Sequence, residues 1–270
     1  MDGLTHIREA FAAVRIEGRA ALMPYFTLGF PTPQQSLSIL EAIAGAGADL
    51  IELGIPFSDP LADGPTIQHS TQVALEQGMT LKRCLEQVAE LRRGGVQAPL
   101  VLMGYINPIL SYGLAQFATD AAAAGADGFI VPDLPPEEAG ALQSACRVHG
   151  LALIYMLAPT STPQRLAQVA AQANGFIYLV SLTGVTGARR SLPTGLADFV
   201  GRVRAATSTP LAVGFGIATP EQAYTVGRLA DGVIVGSALI NAVTNAADPC
   251  AAAAGLVSSL RLALNPAQQD

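Results

Sequence analysis

Three carboxylates fall within one short segment, IELGIPFSDPLADGPTIQ at 51–68, and no lysine or arginine accompanies Glu52, Asp59 and Asp63 there. Acids crowded together without a counter-charge are costly unless their charge or their protons are put to use. Two carboxyl groups suit proton chemistry. Glu52 stands just beyond a short apolar strand-like run. Gly54, Pro56, Pro60, Gly64 and Pro65 then end regular structure and hold the following loop in a defined shape. Glu52 and Asp63 are eleven residues apart, so they converge only where that loop doubles back. Asp-Gly and Ser-Asp-Pro are also good turn sequences, which leaves Asp63 and Asp59 a purely local reading as well.

A second group of residues suits an anion. Gly214-Phe215-Gly216 and Gly236-Ser237 each separate a strand-like run from a helix start. Small residues there let backbone N–H groups approach a phosphate, and the helix dipole favours the negative charge. The TGVTG turn containing Gly184 and Gly187 offers further amides. A net charge of −6 over 270 residues, with no basic run, speaks against a nucleic-acid surface, but backbone amides can hold phosphate without cations. His6, His69 and His149 are scattered, so no metal site is expected. Cys84, Cys146 and Cys250 are isolated and odd in number, which suits a reducing, cytoplasmic setting. The chain has no basic-then-apolar leader and no apolar run of membrane-spanning length, so no membrane is expected.

These groups need a frame, and the chain supplies a regular beat. Apolar runs at 22–27, 49–52, 100–103, 128–131, 153–157, 176–180, 211–213 and 232–235 read as strands. Segments with helical spacing lie between them, at 34–46, 80–93, 114–124, 136–149, 162–173, 196–206 and 220–229. Strands that are apolar throughout suit a parallel sheet covered by helices. Eight such units in succession predict an α/β fold, a single (βα)8 TIM barrel over residues 1–270. Leu4, Ile7, Phe11 and Val14 mark an extra N-terminal helix covering the N-terminal mouth. The phrase GAD at 47–49 and 125–127 marks a helix end followed directly by a strand. In such barrels chemistry sits on the loops after the carboxyl ends of the strands, where every rich segment of this sequence falls.

Nearly the whole chain resembles the alpha subunit of tryptophan synthase. The likeness rests on ELGIPFSDPLADGPTIQ, with TLG near position 28, PDLPPEE, SLTGVTGAR and GFGIATPEQ in support. The resemblance implies cleavage of indole-3-glycerol phosphate to indole and glyceraldehyde 3-phosphate. It also implies a partner, the beta subunit, in an alpha-beta-beta-alpha heterotetramer, with pyridoxal phosphate in that subunit and no cofactor in this chain. It makes Glu52 the general acid–base and Asp63 the anion that accepts the indole N–H. Tyr25, Met103, Ile130, Met156 and Phe215 become walls of the indole slot, and Tyr178 a hydroxyl that orients Glu52 or substrate. Gly187, Gly216, Gly236 and Ser237 take the phosphate, and Thr186 belongs to a closing loop that contacts Asp63. Asp59 corresponds to a residue that pairs with a lysine of the beta subunit, and Asn107, Pro108 and Pro135 lie on loops that face it. Two departures concern loop control: Phe30, where many members carry aspartate, and Leu182, where some carry a basic or small polar residue. A lyase that releases free indole without a partner would look nearly identical. Another phosphate-binding barrel isomerase would share the fold and the glycine loops, but has no need of two acids after the second strand.

Overall fold

Strands buried on both faces have to be apolar on both, and in the computed structural model those runs close into an eight-stranded parallel barrel in chain order. The structure describes residues 1–180, 195–214 and 216–265. The first half of the chain runs α1 (Gly3–Ile16), β1 (Ala21–Thr27), α2 (Pro33–Gly45), β2 (Ile51–Gly54), α3 (Pro65–Glu76), α4 (Leu81–Arg93), β3 (Leu100–Met103), α5 (Ile106–Tyr112), α6 (Leu114–Ala124) and β4 (Gly128–Ile130). It continues with α7 (Gly140–Val148), β5 (Ala152–Leu157), α8 (Pro163–Gln172), β6 (Ile177–Val180), α9 (Leu196–Arg204), β7 (Leu211–Gly214), α10 (Pro220–Gly227), β8 (Gly232–Val235), α11 (Ser237–Thr244) and α12 (Pro249–Ala263).

All eight strands fall where the apolar beat places them, with end shifts of one or two residues. The shift that matters is in β2, which spans Ile51–Gly54 rather than 49–52. Glu52 is therefore inside the ladder rather than beyond its end. Three helices have no counterpart in the sequence reading, α3, α5 and α12, while α11 begins at Ser237 where the sequence places a helix start. Helix α3, PTIQHSTQVALE, is largely polar and begins directly after the acidic loop, and α12 is alanine-rich without a clean apolar stripe. Helix α7 starts at Gly140, not at 136, because the Pro135-Pro136 pair first makes a turn in which Glu138 N–H donates to Pro135 O.

Helix α1 crosses the N-terminal mouth. Leu4 N–H donates to Gly150 O ahead of β5 at 2.9 Å, and Phe11 meets Phe176, just ahead of β6, with ring centroids 5.8 Å apart. The GAD phrase does more than end helices. Gly47 and Gly125 take positive φ after α2 and α6, as a helix C-terminus requires. The aspartates then reach back across the sheet. Asp49 accepts Leu22 N–H (2.8 Å), Asp127 accepts Leu100 N–H (2.7 Å) and Asp231 accepts Leu211 N–H (2.7 Å). Asn174 does the same for Leu153 N–H at 3.0 Å. Each precedes an even-numbered strand and ties it to the start of the odd-numbered strand before it. Arg19, Arg92 and Arg204 pair with the three aspartates.

These ties have unequal weight. Asp127 is buried and holds Arg92, His6 and a strand N–H together. Asp127→Ala is expected to cost about 3 kcal/mol, because it strands a partly buried cation and an amide. Asn174→Ala, which removes one neutral bond, is expected to cost about 1 kcal/mol. Urea midpoints at unchanged slope read the difference, and equal losses would contradict this ranking.

Candidate active site

Residues paired across parallel strands share a face. Tyr25 pairs with Glu52 and Glu52 with Val101, while Gly54, Met103, Ile130 and Ile154 form the next row toward the carboxyl ends. Met156 pairs with Tyr178, one strand further round. These are the inward rows, so the second residue of β2 carries its carboxyl group into the barrel. Two glycines make room beside it. A Cβ at Gly54 would collide with the Tyr25 hydroxyl, and one at Gly214 with the Tyr178 hydroxyl. Gly214, grouped with Gly216 as a phosphate turn in the sequence, is instead a strand residue that clears space for an aromatic ring.

Tyr25 is further held by a buried hydroxyl chain. Ser70 donates to Ile67 O at 2.8 Å, which directs the 2.7 Å Thr27–Ser70 contact, and Tyr25 lies 3.4 Å from the Thr27 hydroxyl. Glu52 itself is 0 % exposed, and neither of its carboxyl oxygens has a hydrogen-bond partner among the described residues. Burial drives its pKa well above the ordinary carboxylate range. Such a group holds its proton to higher pH than an ordinary carboxyl and faces a cleft in which to deliver it.

Asp63 arrives from the loop. Phe57 stacks near Tyr105, with centroids 5.4 Å apart, and Ala62 N–H donates to the Tyr105 hydroxyl at 2.9 Å. That hydroxyl also acts on the Asp63 carboxyl, favouring its charged form. Asp63 N–H closes a turn on Pro60 O (3.0 Å), and Gly64 and Pro65 start α3 directly behind it. Burial pushes the Asp63 carboxyl up to about 6, and the Tyr105 hydrogen bond opposes this. The site thus holds two carboxyl groups with separated proton affinities, one protonated and one mainly ionised above pH 6. Tyr105, on the rim between β3 and α5, has no signal of its own in the sequence.

This yields an expectation for Tyr105→Phe. Losing a donor to the ionised form raises the Asp63 pKa further, so the acid limb of the kcat/KM profile moves to higher pH. Activity at pH 6 is expected to fall about tenfold, with a smaller loss at pH 8. A limb that stays in place would show that the phenol does not support the charge.

Opposite the acids, the barrel offers main-chain donors. Helix α10 is closed by a capping box between Thr219 and Gln222. Helix α11 has no side-chain cap at Gly236, so helix geometry leaves the N–H groups of Ser237 and Ala238 without intrahelical acceptors. Gly216, at φ +83°, lies beside them. One cleft joins both ends. Tyr25, Glu52, Asp63, Met103 and Tyr178 line it together with Gly216, Gly236 and Ser237, and Gly64, Ile67, Ile217, Ala218, Ile234 and Ala238 complete the wall. Space for the centres of water-sized molecules inside it amounts to about 60 Å³, and the cleft opens to solvent at its mouth.

Other residues named from the sequence fall elsewhere. Ile130 is fully buried on the inward face of β4 and does not line the cleft. Met156 lines an adjoining hollow, shared with Asp63 and Pro135. Thr186, Gly187 and Phe215 lie outside the described residues, as do Gly184 and Leu182. Phe30 is buried against Phe26 and the His69 ring, so apolar packing fills its place in the first loop. Asp59 is exposed on the loop after β2 and Pro135 half-buried on the loop after β4, whereas Asn107 (exposed) and Pro108 (half-buried) sit in the first turn of α5 and not on a loop. No cluster of three potential metal ligands occurs among the described residues.

Known proteins resemble this chain over most of its length. Residues 11–262 match the family model described as tryptophan synthase alpha chain. A tryptophan synthase alpha chain of Roseiflexus sp. (strain RS-1) is 54 % identical over 260 residues, covering 96 % of this chain and 100 % of the relative. One from Chloroflexus aggregans is 56 % identical over 238 residues, covering 88 % of this chain and 89 % of the relative. Among solved structures, the tryptophan synthase alpha chain of Legionella pneumophila subsp. pneumophila superposes with a TM-score of 0.91 at 39 % identity, with both chains covered completely. Mycobacterium tuberculosis tryptophan synthase gives 0.90 at 39 % identity, covering 96 % of this chain and 98 % of that one.

Proposed function

The chain belongs to the tryptophan synthase alpha chain family, and from that membership we propose how its own residues carry out the family's reaction, cleavage of indole-3-glycerol phosphate to indole and glyceraldehyde 3-phosphate. The enzyme is a carbon–carbon lyase. In our reading, protonated Glu52 delivers its proton to the indole carbon that bears the side chain. Asp63 accepts the ring N–H and offsets the positive charge that appears on the protonated ring. The Glu52 carboxylate then takes the proton of the side-chain hydroxyl. As the carbonyl forms, the carbon–carbon bond breaks and its electron pair restores the indole ring, so Glu52 ends protonated as it began. Tyr25, Met103 and Tyr178 flank the ring, and the phosphate rests on Gly216, Gly236 and Ser237.

One observation carries this reading: an unpartnered, wholly buried Glu52 and a Tyr105-supported Asp63 open into the same cleft as an uncapped helix N-terminus. Met156, in the adjoining hollow, and Thr186, Gly187 and Phe215, outside the described residues, complete the proposed contacts, and Ile130 acts only as packing beneath them.

The family in general works with a beta subunit. For this chain we propose an alpha-beta-beta-alpha heterotetramer, with pyridoxal phosphate on the beta subunit, no cofactor in this chain and the work done in the cytoplasm. Asp59, Asn107, Pro108 and Pro135 are proposed to face the partner. In support, Leu61 on the loop after β2 is 93 % exposed and Leu110 in α5 is 55 % exposed, an apolar surface with no internal use. No described helix is long and apolar enough to cross a membrane.

Incubation with indole-3-glycerol phosphate, with and without a beta subunit, tests the proposal. Indole and glyceraldehyde 3-phosphate should appear in equal amounts, and faster with the partner. Equal rates would favour a self-sufficient lyase, and no indole at all would end the reading.

A further inference from the structure

The far end of the barrel carries a second concave site. Arg8, Arg15, Arg19 and Arg204 line a hollow at the N-terminal mouth, with Phe11 and Pro210 on its apolar side and Asp231 as its one acid. It is a broad hollow, open to solvent, with about 670 Å³ of room for the centres of water-sized molecules. In a chain of net charge −6, four guanidinium groups around one hollow form a local reversal of sign.

Their partners divide them into two pairs. Arg19 is spent on Asp49, Glu17 and the Ala20 carbonyl, and Arg204 on Asp231. Asp231 is also engaged by Leu211 N–H. Arg8 and Arg15 form no side-chain hydrogen bond or ion pair among the described residues. Arg8 feels Asp2 only as a weak attraction, and that carboxylate is bound to Thr5 N–H. Seven residues apart on α1, the two project from one face of the helix, whereas neighbouring Glu9 is turned away by about 100°. The exposed Ser208 hydroxyl adds a donor at the rim.

We propose that this hollow binds the phosphate group of a small phosphorylated molecule, gripped by the unpaired Arg8 and Arg15 with Ser208 beside them. The guanidinium fork matches two phosphate oxygens at once, and two forks on one face suit a dianion. Phe11 and Pro210 leave room for a small uncharged body behind the phosphate. This site is separate from the cleft and does not depend on the assignment of the lyase residues.

Titration of the isotope-labelled full chain with inorganic phosphate at low ionic strength, followed by backbone amide shifts, separates the two ends of the barrel. Saturable shifts are expected at Arg15, Gly18, Ser208 and Gly227, distinct from those at Gly216 and Gly236. In the Arg8→Ala/Arg15→Ala double variant the first set should weaken at least tenfold in apparent affinity while the second stays unchanged. Arg83→Ala, on distant α4, should leave both sets intact. A parallel titration with glycerol phosphate should move the same first set, extended toward Phe11. The proposal falls if the first set does not move, if chloride at equal ionic strength reproduces it, or if it survives undiminished in the double variant.

Discussion

Glu52→Gln is expected to cut indole formation about 10³-fold while substrate still binds. The amide fills the same space between Tyr25 and Tyr178 but cannot give a proton to the ring or take one from the side-chain hydroxyl, so both proton transfers are lost together. The donors at Gly236 and Ser237 and the ring contacts are untouched, so binding survives. Single-turnover indole release, set beside a substrate dissociation constant from equilibrium dialysis, separates the two quantities. Turnover within tenfold of the parent would remove Glu52 from the chemistry.

The same side chain is a burden on stability. An unfolded glutamate ionises above its ordinary value of 4.5, whereas the buried Glu52 retains its proton well above that pH. The folded state therefore holds the extra proton, and stability falls as pH rises from 4.5 toward the raised value. Glu52→Met removes a buried carboxyl that has no partner and replaces it with apolar atoms of similar size. It is expected to stabilise the fold by about 1–3 kcal/mol at pH 8, with the gain shrinking toward pH 5. Urea unfolding at the two pH values measures this. A variant less stable than the parent at pH 8 would mean that Glu52 has support in the folded state after all.

The framework was legible because strands sandwiched between core and helices leave an apolar signature that needs no partner to be read. Every β-strand follows that beat. What lay hidden depends on register. Asp49 and Asp127 each bond an amide 27 residues earlier in the chain, a relation set by strand pairing and invisible to local pattern. Gly54 and Gly214 look like loop glycines until the inward rows place tyrosine rings over them. The acid pair could be named from composition and resemblance, but the reason their proton affinities differ could not. Among the described residues Glu52 has no neighbour to bond, and Asp63 has Tyr105, which comes from a different rim loop. Such support is a three-dimensional fact, and a GYINPI segment carries no trace of it.

That support sharpens the expectation for Asp63→Asn. The Tyr105 hydroxyl is a donor toward position 63, so it will hold the carbonyl oxygen of the new amide. The amide nitrogen is then the atom left to meet the ring N–H, donor against donor, and no charge remains to balance the protonated ring. The loss is expected to be 10²- to 10³-fold in kcat, the scale of removing one preorganised electrostatic partner. Substrate affinity should weaken less, because the phosphate donors and the apolar walls remain. The pH profile makes the test specific. In the parent enzyme the acid limb of kcat/KM should centre on about 6, where Asp63 gains its proton. With asparagine there is nothing left to titrate at that position, so the residual activity should be flat through the same range. A limb near 6 that persists in Asp63→Asn would belong to another group, and the ionised partner of the indole ring would have to be sought elsewhere in the cleft.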